Sequence, residues 1–228
     1  MQRLGYTQYV AQGGDWGDAV SEVMALQQPP GLRGIHTSMA ATVPPDVSKA
    51  LAVGGPPPAG LSPEEKHAWD GLDDFYKNGL GYANEMALRP QTLYGIVDSP
   101  AGLAAWILDH DADSYALIAR SFDGEPEGLT RDDILDNITF YWLTNTGVSS
   151  SRLYWENTFG FFDAKGVTIP AAVTVFRNEI YRAPRSWAER AYPKLIYFSE
   201  VEAGNHFAAW QEPALFSAEV RAAFRSLR

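Results

Sequence analysis

Tyr9-Val10-Ala11-Gln12-Gly13-Gly14-Asp15-Trp16-Gly17 runs from a short β-prone stretch through a Gly-x-Asp-x-Gly turn into a helix-like segment. In a sharp strand-to-helix turn of this kind, flanking glycines let the backbone pass close to itself and the central side chain is thrust into a cleft. A carboxylate in that place is ionised at neutral pH and can attack an electrophilic sp³ carbon without a base to activate it. Asp15 therefore points to hydrolysis through a covalent alkyl ester.

Working outward, Ala19, Val20, Val23 and Met24 give the next segment an amphipathic helical spacing that Pro29-Pro30-Gly31 ends, and Leu32 to Thr37 reads as a second strand. From Ala40 to Leu61 the composition shifts to Pro, Gly and Ala, which predicts a surface excursion. Helix starts follow at Ser62-Pro63-Glu64-Glu65, at Ser99-Pro100 and at Thr130-Arg131-Asp132-Asp133. β character returns at Ala171 to Phe176 and Leu195 to Ser199, and the chain ends on a helix expected to be capped near Ser217. The pattern predicts an α/β protein: a partial parallel sheet from residues 1–41 and 167–228, interrupted by a mainly helical cap over residues 42–166.

Composition narrows the function classes. The 228 residues are 46% hydrophobic with a net charge of −10 and no basic cluster, which argues against nucleic acid and anionic membrane surfaces as partners. With no cysteine there is no disulfide, thiolate catalysis or Cys-based zinc site. The absence of a signal-type apolar region at the start, and of any apolar run long enough to span a bilayer, leads to the expectation of a cytoplasmic protein without a membrane anchor. Asp109-x-Asp111-x-Asp113 opens like a calcium loop, but Ser114 stands where glycine is required and Arg120 where a bidentate Glu belongs. Asn137-Ile138-Thr139 is a sequon whose meaning depends on secretion.

A covalent ester needs a base to activate water and a partner to orient that base. Of the four histidines, His36, His67 and His110 read as surface or structural. His206 lies in a loop after the last predicted strand and Glu179 just past the preceding one, where parallel sheets carry their active sites. The order Asp15, Glu179, His206 is also the nucleophile–acid–histidine order of α/β-hydrolases.

Four stretches together carry a resemblance: Tyr9 to Gly17; Arg89-Pro90-Gln91-Thr92 through Trp106; Ser149 through Tyr154-Trp155-Glu156-Asn157; and Gly204-Asn205-His206-Phe207-Ala208-Ala209-Trp210. They resemble the epoxide hydrolase family, nearest its microsomal-type branch and bacterial relatives, over essentially the whole chain. The resemblance implies an α/β-hydrolase fold with Asp15 as nucleophile, His206 as base and Glu179 as its orienting acid. It implies ring-opening tyrosines at Tyr154 and Tyr82 and an oxyanion donor at the backbone N–H of Trp16. The substrate would be a small apolar epoxide, with no metal or cofactor. The aromatic residues Phe140, Tyr141, Trp142, Trp155 and Phe161 suggest the lining of an apolar pocket.

Two departures stand out. The family fold implies several strands and a second oxyanion donor ahead of the nucleophile, whereas 14 residues precede Asp15. The expectation is an N-terminally truncated enzyme, weak or inactive by itself, whose open sheet edge favours self-association or a separately supplied N-terminal half. The other is Asn205, where the family has a glycine; asparagine tolerates left-handed backbone angles. The rival readings are a haloalkane dehalogenase-like hydrolase and a non-catalytic binding remnant or split-enzyme subunit.

Overall fold

A computed structural model describes residues 1–157 and 160–228. In chain order the elements are β1 (Tyr9–Gly13), α1 (Trp16–Gln27), β2 (Leu32–Thr37), α2 (Pro45–Ala52), α3 (Pro63–Asp74), α4 (Gly81–Leu88), α5 (Leu93–Ile96), α6 (Pro100–Leu108), α7 (Ala112–Phe122), α8 (Arg131–Thr144), α9 (Arg152–Glu156), β3 (Ala171–Val175), α10 (Arg185–Ala191), β4 (Leu195–Glu200), α11 (Ala208–Gln211) and α12 (Pro213–Ala223). They fall into two compact units, Met1–Asp74 with Gly160–Arg228, and Phe75–Phe159.

In the first unit the strands among the described residues form one parallel sheet in the order β1-β2-β3-β4. This is the partial parallel sheet that the sequence predicts. β3 is buried at every position, as its unbroken small and β-branched run requires of a strand covered on both faces. Gly13 pairs with Thr37, and Val175 with Glu200, so the loops carrying Asp15, Glu179 and His206 leave the sheet at its carboxyl edge.

The helical unit is smaller than the 42–166 block expected from composition. α2 and α3 pack with the sheet, because residues remote in sequence hold them there. Thr42 Oγ1 meets Tyr181 Oη at 3.0 Å, Val43 forms a bridge with Asp163, and Glu65 takes hydrogen bonds from Ser186 (2.7 Å) and Arg190 (3.3 Å). None of these pairings leaves a local signal in a Pro/Gly/Ala-rich stretch.

The predicted helix starts hold. Ser62 and Glu65 exchange the two bonds of a capping box, Ser99 Oγ accepts from Gly102 N at 3.0 Å, and Thr130 and Asp133 form a second capping box. The terminal helix, however, begins at Pro213, and Ser217 lies inside it, its hydroxyl donating back to the Pro213 carbonyl. Among the described residues no helix is long and apolar enough to cross a membrane.

Helix α1 inverts the expected burial. Asp18, Ala19, Ser21, Glu22 and Ala25 are buried, while Val20, Val23 and Leu26 are exposed. The polar face turns inward because it has partners there, described below. The apolar face lies open in the same unit as the edge strand β1 and its exposed Val10.

Candidate active site

The turn after β1 shows why its glycines are needed. A Cβ on Gly13 would sit 1.9 Å from the Gly17 carbonyl oxygen, and one on Gly14 would sit 2.4 Å from Ser38 Oγ. The chain folds tightly enough to force Asp15, the cap residue of α1, to φ 52° and ψ −129°. That conformation is strained for a residue with a side chain, and it leaves the Asp15 carboxylate 32% exposed.

The loops after β3 and β4 are joined by a bridge between Asn178 and Asn205, with Asn178 N donating to Gly204 O at 3.0 Å. The left-handed residue there is Gly204, at φ 88°, and a Cβ on it would meet the Phe176 ring at 2.7 Å. Asn205 has an ordinary φ, so backbone tolerance is not what it contributes. It is buried, and its Oδ1 accepts the Phe207 amide at 2.9 Å, fixing the turn that presents His206.

These loops bring three predicted residues together. His206 Nδ1 lies 2.6 Å from Glu179 Oε1, and its Nε2 lies 3.4 Å from Asp15 Oδ2. The His206 side chain is 5% exposed and that of Glu179 is 1% exposed. Burial works against charge on the imidazole, but the carboxylates of Glu179 and Asp15 outweigh it and raise His206 to about 10. The ring thus sits between two carboxylates that favour its charged form.

Trp16 opens α1 directly after Asp15, and its ring meets Phe161 edge-on with centroids 5.2 Å apart. In the helical unit Tyr82 and Tyr154 lie edge-to-face at 5.9 Å. His110 stands beside Tyr82 at 5.1 Å, with its Nδ1 2.9 Å from the Asp111 carboxylate. The pairing of His110 with Tyr82 has no local signal in the sequence, where His110 reads as surface or structural. Asp111 caps α7. His67 is exposed, and His36 is fully buried between the rings of Phe216 and Phe224. Of the aromatics expected to line a pocket, Phe161 lies at the elbow. Trp155 borders a cleft of about 640 Å³ within the helical unit, together with Gln91, Tyr94, Asp98 and Arg152, while Phe140 is largely exposed. Among the described residues no His, Asp and Glu cluster could hold a metal ion.

The carboxylate–imidazole–carboxylate arrangement at one sheet edge is the geometry to set beside known proteins. No family model matches the chain. A Stigmatella aurantiaca protein bearing the epoxide hydrolase name is 45% identical over the whole chain and 49% of its own length. The chain is a homologue of epoxide hydrolases. Juvenile hormone epoxide hydrolase of Bombyx mori is 34% identical over the whole chain and 52% of that protein. Its crystal structure superposes with a TM-score of 0.79, covering all of this chain and 57% of that one, at 33% identity. The Aspergillus niger epoxide hydrolase structure gives a TM-score of 0.75 at 26% identity, covering all of this chain and 55% of its own. The fold is that of the α/β-hydrolases, and the chain spans about half the length of the curated relatives it matches.

Proposed function

We propose that this epoxide hydrolase homologue opens an apolar epoxide to a vicinal diol through an ester on Asp15. The observation that carries the reading is His206 bridging Asp15 and Glu179 at one sheet edge. An Asp15 oxygen bonds to a ring carbon as that carbon's bond to the epoxide oxygen breaks. Tyr154 and Tyr82 are the proposed donors to the departing oxygen. Esterification removes the charge on Asp15, one of the two anions that keep His206 protonated, so attack itself lowers the imidazole's proton affinity. With that affinity lowered, the imidazolium gives its extra proton to solvent, and the neutral His206, oriented by Glu179, then takes a proton from water as the water oxygen adds to the ester carbonyl. The oxyanion meets the backbone N–H of Trp16, and collapse releases the diol. The chemistry draws on no metal or cofactor.

Intact mass of His206→Gln after exposure to styrene oxide tests this, with Asp15→Asn as control. A gain of one substrate mass in the first and none in the second is expected; a folded His206→Gln chain that stays unmodified would overturn the reading. With relatives about twice as long, we also propose that the open edge of β1 and the Val20–Val23–Leu26 face accept further polypeptide, either a complementary half or a second copy. We expect these 228 residues alone to turn over slowly. Light scattering of the isolated chain, with and without a complementary half, checks the association.

A further inference from the structure

The buried face of α1 belongs to a network that the proposed chemistry does not use. Asp18 and Glu22, one helical turn apart, are 1% and 0% exposed. Asp18 Oδ2 accepts the Ala41 amide at 3.1 Å. Glu22 Oε1 accepts the Tyr192 hydroxyl at 2.5 Å, and its Oε2 lies 3.0 Å from Lys165 Nζ, whose side chain is 12% exposed. Burial, with Glu22 nearby, pushes Asp18 well above the usual carboxylate range. The cluster sets both carboxylates on one face of α1, with the Lys165 ammonium against Glu22.

That ammonium also donates to the carbonyls of Phe161 (2.9 Å) and Asp163 (3.1 Å). A lysine presents three donors around one point, which suits a carboxylate and two converging carbonyls as a flat guanidinium would not. The 160–165 segment is pinned again where Val43 N donates to the Phe162 carbonyl at 2.9 Å. Its Phe161 ring then stands against Trp16. An unbroken series of contacts thus runs from Glu22 through Lys165 and Phe161 to the residue that follows Asp15.

We propose that Lys165 and Glu22 are positioning residues for Trp16, holding Phe161 against the indole so that the Trp16 backbone N–H faces the oxyanion formed during ester hydrolysis. The proposal rests on the aspartyl-ester reading above and divides its two steps. Ring opening places charge on the epoxide oxygen. In hydrolysis, water adds to the ester carbonyl carbon and the carbonyl electron pair moves onto oxygen beside Trp16; collapse then expels the diol oxygen, which takes the proton from His206. Loosening Trp16 slows the second step alone.

The test is Lys165→Met/Glu22→Gln, which removes both members of the ion pair together so that neither is left buried without the other. With His206 intact, single-turnover mass spectrometry on styrene oxide should show the ester forming at the parent rate and decaying at least ~10-fold more slowly, so that the adduct accumulates. Lys49→Met, at an exposed lysine of α2, should behave as the parent. Unchanged decay, or equal slowing of both steps, overturns the proposal. Hydrogen exchange across residues 14–19 decides the matter independently of turnover. Faster exchange in the double variant supports the clamp, and unchanged exchange overturns it even if the His206→Gln trap shows that no ester forms.

Discussion

The two units of this chain invert one another. The sheet unit buries Asp18, Glu22, His36 and Glu179 and leaves Val20 and Val23 in water. The helical unit is held by a thin apolar core, including Leu93, Leu103, Leu117 and Ile134, and exposes Tyr94, Phe140, Leu143 and Trp155. Buried charges are tolerated only where partners are fixed, so the sheet unit is the place for groups whose protonation must be controlled. Exposed aromatic surface suits contact with apolar matter and demands no such precision. The difference teaches that reactivity and affinity are built here from different materials.

The sharpest way to break this comparison is to cut one residue from each side. On the proposed aspartyl-ester chemistry, Asp15→Asn should lower epoxide turnover by ~10⁴-fold or more, since a nucleophile has no substitute. Trp155→Ala should change it by less than ~10-fold, mainly in KM. Steady-state kinetics on styrene oxide checks both, and comparable losses would erase the distinction.

Next in size is the turn. Gly13→Ala puts a methyl into the Gly17 carbonyl and should cost upwards of ~4 kcal/mol, seen as loss of the cooperative denaturant transition. Gly17→Ala meets nothing within 4 Å and should stay within ~1 kcal/mol of the parent.

A third comparison lies in pH. Burial lowers His36 to about 4, so the stability it contributes is present above the free histidine value of 6.5 and is lost as pH falls through 4. That loss amounts to about 3 kcal/mol across the window. His206 is raised to about 10, so its contribution is complete below 6.5 and disappears as pH rises through 10. Denaturation midpoints against pH should lose their acid decline in His36→Gln and flatten on the alkaline side in His206→Gln. The smallest effects belong to the helical unit: about 1 kcal/mol for Ser99→Ala at the cap of α6, and under ~0.5 kcal/mol for Leu143→Ser on its surface.

Much of the site was legible because its parts are local. The Gly-x-Asp-x-Gly turn is a local signature whose first glycine admits no side chain, and loops after consecutive parallel strands converge, so Asp15, Glu179 and His206 stood out as candidates from turn chemistry and chain order, and the family resemblance gave them roles. The caps at Ser62, Ser99 and Thr130 were legible for the same reason. What stayed hidden depends on partners far along the chain. Asp18 and Glu22 carry no local sign that Lys165 and Tyr192 are brought to the face of α1 on which they lie. The apolar stripe of α1 therefore pointed the wrong way, and the helical unit is narrower than the 42–166 block because Tyr181, Asp163 and Arg190 hold residues 42–74 in the sheet unit. Asn205 was assigned a backbone role that Gly204 fills.

The angle at Asp15 also bears on endurance. A φ of 52° with ψ −129° costs an aspartate of order 1–3 kcal/mol that a glycine would be spared. Asp15→Gly should therefore survive heating longer than its parent while having no carboxylate with which to attack. On the proposed chemistry, the form of this protein best able to last is one that does nothing, and a copy able to attack lives at a discount in half-life set by a single turn of backbone.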